Sequence, residues 1–170
     1  MNDFPAGWAT IILAVIALVA LGAAYGQVSS ARKNQREANA DALWRNYLRL
    51  AFRHPKLADP GLEPHLARFD YEALTINGDP ELFQQYEWFV DFVLDSCERV
   101  LELDSSEEWN ETVRTQLDFH WDYLHSDHYQ HSGYLLHHKR KFRELIQDVL
   151  SHPPRRRRWG TGAAQEGRSG

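Results

Sequence analysis

The chain has 170 residues, of which 12% are aromatic and 25% charged, and its formal net charge is −5. That aromatic content excludes a wholly disordered chain, and a single cysteine, Cys97, excludes an intramolecular disulfide framework. The charge is blocked along the sequence: residues 31–56 carry net +5, residues 57–127 net −15 and residues 128–170 net +6.

The first element is an apolar run. No charged residue occurs between Asp3 and Arg32, and Trp8 to Tyr25 is almost wholly apolar. As a helix this stretch covers roughly 25–30 Å, the thickness of a bilayer's hydrocarbon core. Trp8 and Tyr25 lie at its ends, where amphipathic rings favour the headgroup zone. A cleaved signal peptide would need Lys or Arg before the run, whereas Asp3 is the only charged side chain there. The flanks therefore predict an uncleaved transmembrane helix over 8–26, after a short extracytoplasmic N-terminus of residues 1–7. Arg32, Lys33 and Arg36 follow the run and nothing basic precedes it, so the positive-inside rule predicts a cytoplasmic C-terminal bulk. A bacterial inner membrane is the expected location. Gly22-x-x-x-Gly26 and nearby alanines offer small residues for close helix approach, a basis for homo-oligomers.

Residues 27–39 form a polar, proline-free linker that permits the helix to continue. Residues 40–152 are the expected cytoplasmic domain, and about 140 residues beyond the anchor suffice for one core. Ala40, Leu43, Trp44, Tyr47, Leu48 and Ala51 follow helical spacing up to a stop near His54, before Pro55. A short helix is predicted from Glu63 to about Leu74, with Pro64 in its first turn. Asn77-Gly78 signals a turn, and Asp79-Pro80 reads as an N-cap followed by proline at the first helical position. A central helix from Pro80 to about Leu103 follows.

Either Asp104 with Glu107 or Ser105 with Glu108 has capping-box spacing for a further helix. That helix carries Trp109, Val113, Leu117, His120 and Leu124 on one stripe, and ends at a polar break from Ser126 to Gly133. The last helix is predicted over about Gly133 to Ser151 and is closed by Pro153-Pro154. No segment shows strand alternation bounded by hairpin turns. The fold class is all-α: a single-pass transmembrane helix followed by a small helical bundle of about four main helices and one short one. Residues 153–170 read as a basic, disordered tail.

Three groups of residues suggest chemistry. Six histidines fall in nineteen residues, from His120 to His138. His120, Asp122, His125 and His128 are candidate metal ligands, with Asp122 and His125 at an i, i+3 spacing, but no His-Glu-x-x-His or paired cysteines complete a template. The same cluster would change charge near pH 6.5, which suggests a pH sensor. Arg155, Arg156, Arg157, Arg158 and Trp159 suit an anionic lipid surface, each basic residue near the leaflet contributing about 1 kcal/mol. The acidic middle argues against a broad nucleic-acid surface.

No Gly-rich phosphate loop, Gly-x-Ser-x-Gly elbow or Cys-x-x-Cys occurs, so no catalytic or cofactor-binding residue is assigned. The expected function is a non-enzymatic, membrane-anchored module that binds a protein partner or senses a condition at the membrane. The alternative is a metal-dependent enzyme or a metal or pH sensor built on His120–His138.

Overall fold

The structure is a computed structural model that describes residues 6–61 and 67–154. Among the described residues the chain is mostly helical, with a single long apolar helix at its N-terminal end. It divides into two compact units, Met1–Asn39 and Ala40–Gly170.

The first unit holds most of helix α1, Ala6–Arg53, which runs unbroken through the linker. Ile11, Leu13, Val15, Ile16, Leu18, Val19 and Leu21 are all more than half exposed. The polar turns beyond them carry helix-compatible pairs, including Lys33 with Glu37 at 3.7 Å and Gln35 with Asn39 at 2.9 Å.

The second unit begins with the last turns of α1, which bury Ala40 and Tyr47. The helix stops at Arg53, where Pro55 forces His54 out of helical geometry. Pro55 then opens the short helix α2, Pro55–Ala58, which buries Leu57.

The helix expected from Glu63 to Leu74 gives way to other structure. Residues 62–66 lie outside the described residues, and Phe69–Asp70 (β1) pairs antiparallel with Thr75–Ile76 (β2), Phe69 opposite Ile76 and Asp70 opposite Thr75. The expectation of no strand is corrected along with it. The reason is local: the Asp70 carboxylate accepts from the backbone N–H of Glu72 (3.1 Å) and Ala73 (2.9 Å), a turn that competes with helix. Leu74, Asn77 and Gly78 have φ of 54°, 55° and 81°, so the chain reverses at both ends of β2.

Helix α3, Pro80–Leu103, has the predicted start: Asp79 accepts from the backbone N–H of Glu81 (2.8 Å) and Leu82 (3.2 Å), and Pro80 is the first helical residue. It is the central element, buried at Phe83, Tyr86, Phe89, Val90, Val93, Leu94, Cys97 and Val100. It packs against α2, β2 and helix α4, Glu107–Phe119. The cap of α4 is Ser106, whose side chain accepts from the Trp109 N–H at 3.4 Å, so neither predicted capping box forms. Asp104 instead accepts from the Ser106 backbone at 3.0 Å, which fixes the connection one residue later.

The predicted stripe through Leu124 is interrupted. His120 leaves helical geometry, and α5 (Trp121–Leu124) and α6 (Asp127–His131, capped by Ser126) follow as separate short helices. The expected polar break thus contains a helix. Gly133, at φ 83°, turns the chain into a 3-10 turn, Tyr134–His137, and helix α7 begins only at Arg140 and ends at Leu150. Glu98 of α3 sets that later start. It accepts from the Lys139 backbone N–H (2.7 Å) and the His138 ring (2.8 Å), and so satisfies the start of α7 from outside. Helix α7 packs on α4, where Arg114 and Asp148 pair at 2.6 Å and hold the Asp148 carboxyl below its usual range.

The core of this unit is rich in rings. Tyr86 and Tyr123 meet edge to face at 5.3 Å, as do Phe69 and Tyr86 at 4.9 Å. Such pairs add about 0.5–1.5 kcal/mol beyond their buried area. Tyr47, from the end of α1, donates a hydrogen bond to the buried Gln116 of α4.

Candidate functional site

The histidine-rich segment is distributed over several short elements, and each ring has its own surroundings. His120 is fully buried between Tyr86 and Phe89 and shares a 3.1 Å hydrogen bond with the Tyr86 hydroxyl through Nδ1. Burial lowers its pKa from 6.5 to about 3, so the ring is neutral at physiological pH. Its Nε2 has no hydrogen-bond partner among the described residues.

His125 follows α5 and stacks on Trp121, the ring centroids 4.4 Å apart and the planes 10° from parallel. Trp121 in turn donates its indole N–H to the His152 carbonyl at 3.0 Å. Asp122 lies near the half-buried Tyr71 and the buried Tyr86, whose hydroxyl pKa values are raised chiefly by burial, with the Asp122 charge a smaller cause for each. His128 contacts Glu87 of α3 at 2.6 Å through Nε2. His131 bonds the Asp127 carbonyl of its own helix, His138 bonds Glu98, and His137 lies beside Tyr134. The candidate ligands His120, Asp122, His125 and His128 form no metal site: among the described residues no three His, Cys, Asp or Glu side chains converge to hold an ion.

What the segment does form is one wall of a cleft of about 300 Å³ against α3. Glu87, Trp88 and Asp91 line it from α3, and Tyr123, Tyr129 and Tyr134 from the opposite side. Glu87 is anchored there, accepting from the Tyr123 hydroxyl (3.1 Å) as well as from His128 through the same oxygen, Oε1. Trp88 is 70% exposed, an unusual state for an indole on the central helix, and stands at the cleft's edge. Tyr129 is 2% exposed, and its hydroxyl has no partner among the described residues. Glu87 and Asp91 both lie on α3. Their spacing of one helical turn was visible, whereas the tyrosines that face them come from elements too short to show periodicity.

Gly22 and Gly26 lie on α1, and a Cβ added at either would meet nothing within 4 Å. Arg155, Arg156, Arg157, Arg158 and Trp159 lie outside the described residues. No protein-family model matches the chain, and no curated protein or solved structure matches it.

Proposed function

We propose that this chain is a single-pass membrane protein whose helical domain lies in the cytoplasm and acts, without catalysis of its own, as a module for binding a partner or sensing a condition at the membrane. The observation that carries this reading is the row of exposed aliphatic side chains from Ile11 to Leu21. Burying a Val, Leu or Ile side chain is worth about 1.5–3 kcal/mol, so removing this row from water gains on the order of 10 kcal/mol. A bilayer supplies that burial, and a helix is the form in which such a segment crosses it. Arg32, Lys33 and Arg36 on the C-terminal flank support the orientation. The separate surroundings of the six histidines favour separate local contacts over a shared reaction centre.

In membranes prepared from cells, the full chain is expected to stay in the pellet after alkaline carbonate extraction, and a protease added outside intact cells should leave the domain whole. Release into the supernatant removes the anchor. Cleavage of the domain from outside reverses the orientation. Loss of the first two dozen residues from the mature chain establishes a signal peptide instead.

A further inference from the structure

We infer that the cleft between α3 and the segment Tyr123–His137 binds an organic cation bearing N–H donors, an alkylammonium or guanidinium group. The proposal extends the sensing role above by naming a ligand chemistry, and it stands apart from the anchor and its orientation.

Charge is the first argument. Glu87 and Asp91 put two carboxylates on one wall, and no Lys or Arg is among the described residues that line the cleft. The only ion pair either carboxylate makes among the described residues is that of Glu87 with His128. Glu87 is therefore held in place with its Oε1 engaged, and Asp91 lines the cleft without an ion-pair partner among the described residues.

Rings are the second. Trp88, Tyr123, Tyr129 and Tyr134 surround the same space, and ring faces attract cations, most strongly where water is displaced. Trp88, 70% exposed beside the cleft, leaves its indole open to a ligand.

The third argument decides the kind of cation. The Tyr129 hydroxyl is buried and unpartnered among the described residues, in a side chain that lines the cleft. Burial, with the nearby Asp91 charge, raises its pKa, so it stays a neutral hydroxyl with acceptor lone pairs free. A buried polar group is ordinarily paired, and an N–H of a cation seated against Asp91 supplies the missing partner. A quaternary ammonium has the charge but no such donor.

The test uses the full-length chain in lipid nanodiscs, titrated with n-butylammonium while the Trp88 indole N–H signal is followed by nuclear magnetic resonance; Trp88→Phe assigns the signal. A saturable shift is expected, with tetramethylammonium binding at least about tenfold more weakly, the worth of one hydrogen bond to a charged group. Tyr129→Phe should weaken butylammonium binding by about the same factor while leaving the melting temperature unchanged or higher, because it removes an unpaired buried hydroxyl. Should that variant unfold, Asp91→Asn, at an exposed position, carries the test and should also weaken binding. Nα-acetyl-lysine amide is the remaining arm. Tighter binding than butylammonium identifies a basic side chain as the natural source, and equal or weaker binding identifies a free amine. No saturable shift, equal affinity for tetramethylammonium, or affinity unmoved by both substitutions overturns the proposal.

Discussion

His120 sets an acid limit on the domain. Its pKa is about 3 in the folded chain against 6.5 when exposed. Between these values the unfolded chain takes up a proton that the folded one refuses, so stability is complete above pH 6.5 and is lost as pH falls toward 3. One unit below the ordinary value the loss is about 1.4 kcal/mol. The melting temperature of the wild type should therefore fall more steeply between pH 6.5 and 5 than that of His120→Gln, which keeps a hydrogen-bonding group for Tyr86 without a titrating ring. Parallel curves would show that His120 is not the source. The position of His120 on an apolar stripe was readable from Trp109, Val113 and Leu117. Its neutrality was not, because the ring is walled in by Tyr86 and Phe89, more than thirty residues earlier in the chain.

Elements that begin with local chemistry are the ones the sequence predicted well. Helix α3 starts where Asp79-Pro80 says it should, because the cap and the fixed proline φ act within one turn. Asp79→Ala should cost about 1 kcal/mol, seen as a lower urea midpoint with an unchanged slope. The stop at Arg53 before His54-Pro55 was equally readable. Misread elements depend on distant partners. The β1–β2 hairpin has strands of two residues, too short for alternation to register. The delayed start of α7 depends on Glu98, some forty residues earlier, which no window over Gly133–Ser151 contains. Ser106 caps α4 while its own N–H is bonded to Asp104, a pair of contacts that the two capping-box spacings do not describe.

For the molecule as a whole, the apolar run and the charge blocks were the strongest signals, since both are properties of composition. The basic tail belongs to the same scale. If Arg155, Arg156, Arg157 and Arg158 reach an anionic leaflet, replacing all four by Ser should weaken vesicle binding of the fragment from Ala40 onward by several kcal/mol, at about 1 kcal/mol each, and most at low salt. Unchanged sedimentation with phosphatidylserine vesicles would leave the tail without a lipid role. The candidate cleft, by contrast, was not readable at any scale. It joins carboxylates from one helix to rings from three short elements.

Helix α1 carries both the apolar row and Tyr47, whose hydroxyl bonds Gln116, 69 residues further on. That pairing imposes an order on biosynthesis. Ribosomes add roughly 5–20 residues per second, so Gln116 is made about 3–14 s after Tyr47. Throughout that interval the apolar row is already made while the second unit still lacks α4, and with it one side of its core. Machinery that captures the nascent segment within that interval acts on a chain whose domain has yet to close.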